Sequence, residues 1–308
     1  MKIIDILQRH LAERTPCFSF EYYPPKSREN WADFYEKIQR MSRLSPQFID
    51  VTWGTGDPTS MATVEISREI QARTHVDTMM HLTCTHRSRA ELLDLLERVV
   101  GESEIRNILA LRGNRPVGGR WVSHPDGFQN AAELVAGIRA QFGDLFSIAV
   151  AGYPEGYRDD GNAPDRDFIG TRDYYRQIER QKDKLDVGAG FIVTQLCFDL
   201  DQLCRYREDC EKYGIRCPIV PGILPIHSAS TWEKVATFSA SIPSDIDRRY
   251  HDAIARGPQA FEDFAVSLLL EQVEFLHAHG FWAIHLYTLN HEKIISKAMR
   301  LLASESKP

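Results

Sequence analysis

Eight short apolar runs recur along the chain: CFSFEYYPP, FIDVTWG, DTMMHLTC, NILALRG, SIAVAGYP, GFIVTQLCF, PIVPGILP and WAIHLYTLN. They begin near residues 17, 48, 77, 107, 147, 190, 218 and 282. Each has the length of a strand, and most end in glycine, proline or a polar residue. Near-continuous apolarity suits parallel strands covered on both faces. Between the runs, apolar residues return at helical spacing. Trp31, Phe34, Ile38 and Met41 share one face, as do Leu92, Leu93, Leu96 and Val99 ahead of Gly101. Ala131, Leu134, Val135 and Ile138 repeat the scheme. Phe261 to Leu276 forms the longest stripe, closed by Gly280, and Ile294 to Leu302 the last.

Strand alternating with helix means a parallel sheet. Eight repeats favour a closed (β/α)8 barrel, an α/β fold in one domain over residues 1–308, over an open doubly wound sheet. The open sheet's nucleotide-binding fingerprint is missing: Gly54-Thr55-Gly56 continues as Asp-Pro-Thr without a third glycine. At the start, Ile3, Ile4, Leu7 and Leu11 predict a short amphipathic helix. Asp5 and Glu13 interrupt it, so it reads as neither a secretory signal nor a mitochondrial presequence, and a cytoplasmic protein is expected.

Composition narrows the function classes. The net charge of −6 and the absence of a basic run argue against a nucleic-acid partner. No apolar stretch approaches the roughly 20 residues that cross a bilayer, so no membrane partner is expected. The 6 cysteines lie apart with no C-x-x-C pair, which argues against a disulfide framework and a zinc site. No metal site is expected. G-x-S-x-G, H-E-x-x-H and P-loop patterns are missing, and His277 and His279 are spaced two apart, off a common helix face.

In a (β/α)8 barrel the chemistry sits at the C-terminal strand ends. The candidates are then Glu21, Thr52, His81, Arg112 with Asn114, Tyr153 with Glu155, Gln195, and Tyr287 with Asn290. Loops at 113–127, 154–170 and 225–245 cover the same face. Glu21 lies among Phe18, Phe20, Tyr22 and Tyr23. Lost hydration there favours a proton on the carboxyl and suits a general acid; a solvated Glu, or one paired with Arg112, is the alternative. Gln195 reads as an amide inside an apolar strand, so it binds a polar heterocycle or satisfies backbone groups. His81 is open between a structural and a ligand role, and His285 shows no evident carboxylate partner. Arg112-Gly113-Asn114 could approach an anion. Trp53, Tyr153 and Tyr287 could stack on a planar ring or simply pack.

Taken together, FSFEYYPPKS, DVTWG, HLTC, ILALRGN, AGYPEG, DVGAGFIVTQLCFD, IVPGILPI and LYTLN resemble, in order and over nearly the whole chain, the catalytic barrel of methylenetetrahydrofolate reductase. The resemblance implies interconversion of 5,10-methylenetetrahydrofolate and 5-methyltetrahydrofolate with NAD(P)H, and FAD as the family's hydride relay. It implies Glu21 as the acid that opens the imidazolidine ring, and Gln195 as a hydrogen-bonding partner of the pterin. It places Asn114 and Tyr287 near the folate, and Thr52, His81, Arg112, Gly113, Tyr153 and Lys184 at flavin-contacting positions. Family members are commonly homo-oligomers.

Departures cluster on the flavin side. The family's R-G-D reads Arg112-Gly113-Asn114, a tyrosine becomes Asn130, a histidine becomes Tyr157, a small polar residue becomes Arg180, and T-L-N-R ends in His291. With Glu21 and Gln195 kept, this predicts folate chemistry with weak or lost flavin binding and direct hydride passage from NAD(P)H. The alternative is that backbone contacts still hold FAD. Two other classes stay open: a non-redox barrel that binds folate or transfers methyl groups, and a non-enzymatic assembly protein.

Overall fold

The computed structural model describes residues 1–53, 57–113, 123–157, 168–238 and 241–305. Eight parallel strands close into a barrel in chain order. They are β1 (Cys17–Tyr22), β2 (Phe48–Val51), β3 (Asp77–Thr83), β4 (Asn107–Leu111), β5 (Ser147–Gly152), β6 (Phe191–Leu196), β7 (Ile219–Ile223) and β8 (Ala283–Tyr287). The apolar runs therefore mark the strand starts to within a residue. Closure comes from β8 pairing with β1, where Ser19 faces His285 and Glu21 faces Tyr287.

The helices are α1 (Ile3–Glu13), α2 (Trp31–Ser42), α3 (Asp57–Thr74), α4 (Arg89–Glu102), α5 (Ala131–Phe142), α6 (Arg172–Asp186), α7 (Leu200–Lys212), α8 (Ala229–Phe238), α9 (Ser244–Arg256), α10 (Pro258–Ala278) and α11 (Lys293–Glu305). The span 225–245, expected as a loop, contains α8 and the start of α9. Helices α3, α6, α7, α8 and α9 escaped the periodicity reading. In α6 charged residues far outnumber apolar ones, and only Tyr174, Ile178 and Gln181 are buried; in α7 they outnumber them slightly. Their starts are set by side-chain caps instead. Thr171 accepts from the Tyr174 amide, and Asp199 from the Gln202 amide.

Residues alternate along each strand between the helix layer and the barrel interior. Phe18, Phe20 and Tyr22 pack outward, whereas Cys17 joins Phe48, Met79, Leu109, Ala149, Phe191, Val193, Val220 and Ala283 in the interior core. The expected N-terminal helix, α1, plugs the lower end of that core with Ile3, Ile6 and Leu7. Lys2 gives it no side-chain cap. Barrel residues serve instead: the Ile3 amide donates to Asn107 Oδ1 at 2.8 Å, and the Ile4 amide to Ser147 Oγ at 3.2 Å. All 6 cysteines are free. No described helix is long and apolar enough to cross a membrane.

Candidate active site

On β1, Ser19 and Glu21 follow Cys17 on the interior face. Asp50 does the same on β2, His81 on β3, and His285 and Tyr287 on β8. Because these strands are neighbours across the closure, the six side chains meet in one sector. Glu21 and Asp50 are register partners on β1 and β2. Burial is nearly complete: Glu21 is 4% exposed, His81 7%, and Asp50 and His285 0%.

His81 is the hub. Its Nε2 lies 3.0 Å from Asp50 Oδ2 and 3.6 Å from Glu21 Oε2. Burial works against the imidazolium, but the Asp50 charge and hydrogen bond, with the Glu21 charge behind them, raise the His81 pKa above its ordinary value. His285 approaches from the other side, with Nε2 3.7 Å from Asp50 Oδ2 and 3.9 Å from Glu21 Oε2. Its Nδ1 is 2.8 Å from Ser19 Oγ, and its ring stacks on Phe48 at a centroid distance of 6.3 Å. His285 thus faces two carboxylates, against the expectation of none. Both come from other strands, so no local pattern announces them. Asp50 was missed for the same reason: in FIDVTWG it reads as a lone polar residue. Glu21 is neither solvated nor paired with Arg112 among the described residues; imidazoles and aromatic rings surround it.

The backbone that carries Glu21 is held from β8. The Thr288 hydroxyl donates to the Glu21 carbonyl. Asn290 clamps Tyr23, accepting from its amide and donating to its carbonyl, each at 2.9 Å. This turn needs Leu289 and Asn290 in the left-handed region, at φ of 47° and 60°. Asn290, a candidate binding residue by position, therefore positions Glu21. Tyr23 overhangs the acid, and burial of its hydroxyl together with the Glu21 charge and hydrogen bond keeps the phenol protonated.

Gln195 corrects its expectation. It is exposed, not buried within the strand. The register of β6 on β7 runs from Val193↔Val220 to Leu196↔Gly222, so β6 carries one extra residue at Thr194–Gln195. Such a bulge re-aims a side chain, and Gln195 is exposed where Val193 and Thr194 before it are buried. The Thr194 hydroxyl stabilises the bulge by accepting from the Gly222 amide at 3.0 Å and donating to the Gln195 carbonyl at 2.9 Å. Tyr287 completes it, donating to the Thr194 carbonyl at 2.6 Å. Tyr287 is pinned across Gly222, where a side chain would collide with it.

The remaining candidates gather on β4, β5 and α6. The Arg112 guanidinium donates to the Tyr157 hydroxyl at 2.9 Å, and Tyr157 packs on Tyr153 at 5.0 Å between centroids. Lys184 Nζ donates to Gln181 Oε1 at 3.0 Å and lies 5.8 Å from the Tyr153 ring centroid. Burial and then the charges of Arg112 and Arg180 bring the Lys184 pKa down to about 8. Lys184 thus feels the charge of two arginines, and no carboxylate acts appreciably on it among the described residues. That donor set fits a phosphate-bearing dinucleotide.

Gly113 adopts φ 91°, and a Cβ there would meet Thr85 Cγ2 at 2.6 Å. Packing on the β3 end thus explains this glycine without an anion. Asn130 caps α5 by accepting from the Glu133 amide at 3.0 Å. Thr52 sits at the β2 exit, its carbonyl taking a hydrogen bond from Thr63 Oγ1. Asn114, the Gly54-Thr55-Gly56 segment and most of the 113–127 and 154–170 loops lie outside the described residues.

Residues 6–302 match the model of the family described as methylenetetrahydrofolate reductase. The chain belongs to the methylenetetrahydrofolate reductase family. It is 38% identical over 300 residues to the probable methylenetetrahydrofolate reductase (NADH) of Oryza sativa subsp. japonica, covering 95% of this chain and 49% of that protein. It is 37% identical to methylenetetrahydrofolate reductase (NADH) 1 of Arabidopsis thaliana, with the same coverage. The chain spans about half the length of these plant relatives. Against the bacterial 5,10-methylenetetrahydrofolate reductase of Pectobacterium carotovorum it is 33% identical, covering 90% of this chain and 86% of that enzyme. Among solved structures, an uncharacterized Clostridium thermocellum protein that binds two copies of 5-methyl-5,6,7,8-tetrahydrofolic acid aligns over 97% of this chain and 98% of its own, with TM-score 0.64 and 14% identity. At that identity the likeness shows the fold. In this chain the Glu21 cluster lies toward the C-terminal ends of the strands, where a (β/α)8 enzyme places its chemistry.

Proposed function

We propose that this chain interconverts 5,10-methylenetetrahydrofolate and 5-methyltetrahydrofolate, with NAD(P)H or NAD(P)+ as hydride partner. The observation that carries the reading is Glu21: a buried carboxyl at the end of β1, flanked by two imidazoles, in a chain of the reductase family. In the reducing direction the Glu21 carboxyl gives its proton to the N10 nitrogen of the folate. The imidazolidine ring opens to an iminium, and hydride converts that to methyl. Gln195, exposed at the bulge, hydrogen-bonds the pterin, and Tyr287 borders it with a fixed ring. Asn114 serves the same folate from outside the described residues. Arg112, Tyr153 and Lys184 hold the nucleotide phosphates and rings, with Thr52, His81 and Gly113 lining the same side. The relatives' names support a nicotinamide partner, NADH in the plant proteins and NADPH in the Caenorhabditis elegans protein. The Clostridium protein's folate supports the ligand class.

FAD, where bound, relays the hydride between nicotinamide and folate. The residues present fit the phosphate part of such a group, but Tyr157 engages Arg112 and covers Tyr153. That favours direct transfer with little retained flavin. Purified protein is expected to carry well under one flavin per chain, and to form methyl-folate with NADH or NADPH without added FAD. Glu21→Gln is expected to lower turnover at least about 100-fold with unchanged melting. A stoichiometric flavin spectrum refutes direct transfer. Folate binding without nicotinamide oxidation, in either direction, refutes the redox reading and favours a binding protein.

A further inference from the structure

Asp50 has a demanding environment. It is 0% exposed, and its Oδ1 has no hydrogen-bond partner among the described residues. A carboxylate removed from water at this depth persists only beside a cation or a dense set of donors. The groups that reach it are imidazoles: His81 at 3.0 Å and His285 at 3.7 Å. No arginine, lysine or backbone amide does so among the described residues. Asp50 therefore requires a protonated histidine, and the geometry selects His81, because its Nε2 makes the short contact. That same nitrogen stands 3.6 Å from Glu21 Oε2. One N–H thus lies between the acid that performs the chemistry and a second carboxylate that cannot reach solvent. The donor atoms of Glu21, Asp50 and His81 all fall within 4.8 Å of one another.

Resting on the folate-reductase reading, we propose that Asp50 is a positioning residue that holds the His81 imidazole as the proton store from which Glu21 is reloaded after each turnover. The steps balance. Glu21 O–H passes its proton to the substrate nitrogen and becomes a carboxylate. His81 Nε2–H then transfers to Glu21 Oε2, leaving a neutral imidazole. Solvent returns a proton to His81 when product leaves and the mouth is open. Asp50 takes no proton in the cycle; its charge makes the protonated ring the resting form. His285 has a different part. Its Nδ1 is tied to Ser19, and its Nε2 stands 3.7 Å from Asp50 Oδ2 and 3.9 Å from Glu21 Oε2 without a hydrogen bond among the described residues, so it fills the gap between the carboxylates and leaves the short contact to His81. The charged groups that act on His81 are Asp50 from β2 and Glu21 from β1; Tyr23, His285 and Tyr287 act on the same two carboxylates, and the β4 register partner of His81 is the apolar Leu109.

The test combines histidine-selective NMR titration with kinetics. In the intact protein, His81 is expected to titrate above the usual histidine range. Asp50→Asn removes the larger of the two stabilising charges, so the His81 signal should move to lower pH by a unit or more. Glu21→Gln should leave it within about half a unit of wild type. The kcat profile of Asp50→Asn should lose its alkaline limb earlier, with kcat at pH 8.5 about tenfold below wild type and the folate KM within threefold. In a His81→Gln background, Asp50→Asn should cause no further loss. An unchanged His81 titration and pH profile in Asp50→Asn overturns the proposal, as does an additive loss in the double variant. Should Asp50→Asn not fold, the Glu21→Gln titration decides: a drop of His81 to an ordinary value shows that Glu21, not Asp50, holds the proton. Because the titration needs no turnover, a wild-type protein inactive on folate would defeat the functional reading while still deciding the Asp50–His81 arrangement.

Discussion

Gly222 offers a sharp test of how the mouth is built. It lies on β7 beneath Tyr287 and beside the β6 bulge. A Cβ at this position would sit 2.3 Å from the Thr194 carbonyl oxygen, 2.5 Å from Tyr287 Cε2 and 2.8 Å from its hydroxyl. The ring could swing away, but that breaks its 2.6 Å hydrogen bond to the Thr194 carbonyl. The carbonyl itself belongs to the barrel backbone and has little room to yield. Overpacking of this kind costs about 1–3 kcal/mol, and the lost hydrogen bond about 1 kcal/mol net. Gly222→Ala is therefore expected to destabilise by about 2–4 kcal/mol. At about 2 °C per kcal/mol for a chain of this size, melting falls by roughly 4–8 °C. Tyr287→Phe loses only the hydroxyl and is expected to cost about 1 kcal/mol. The double variant still collides with the carbonyl, so the alanine should retain at least about 1 kcal/mol of its cost there. Urea unfolding of the four proteins gives these values, and the folate KM of Gly222→Ala should rise with the displaced ring. A Gly222→Ala protein within about 0.5 kcal/mol of wild type, with unchanged KM, refutes the argument that Tyr287 is pinned by the bulge.

Two further outcomes follow from Lys184 and from His227, whose ring packs on that of His291 at 4.9 Å between centroids. Lys184, with its pKa brought down to about 8 by burial and by Arg112 and Arg180, sheds its charge just above neutrality; the KM for NAD(P)H should climb as pH rises through 8, and Lys184→Met should raise KM at pH 7 and flatten that climb. His227 is held neutral by burial and by His291, down to about 3. The unfolded chain binds a proton there below about 6.5 and the folded chain does not, so stability should fall as pH drops from 6.5 towards 3, by up to about 1.4 kcal/mol per pH unit. His227→Phe should remove that slope in acid melts, and an unchanged slope would contradict the assignment.

The barrel was legible because its signals are local. A buried parallel strand announces itself by a run of apolar residues, and eight such runs alternating with helical stripes leave few architectures. The helices that were missed show the limit of the same signal. On α6 and α7 the apolar stripe is too sparse to see, and capping side chains define their starts. Helix α8 lies within what reads as a loop after β7. For the site, position at a strand end was enough to select Glu21, His81, Arg112, Tyr153 and Tyr287. The exposure of Gln195 was not visible, because a one-residue register shift between β6 and β7 depends on Gly222 and Tyr287, far along the chain.

By itself, then, the sequence determined the order of the strands, the closed barrel they imply, and Glu21 as the candidate acid. Those rest on continuous apolar runs, on helical periodicities of three to four residues and on short motifs, which act over the length of a single element. Tertiary structure alone decided what surrounds that acid. Asp50 and His285 are 235 positions apart, and Ser19 and His285 are 266 apart, yet they share one buried cluster because β8 closes on β1 and β2 follows in register. The charge on a buried group depends on which neighbours share its low-dielectric space, and in a closed barrel those neighbours are set by register and closure.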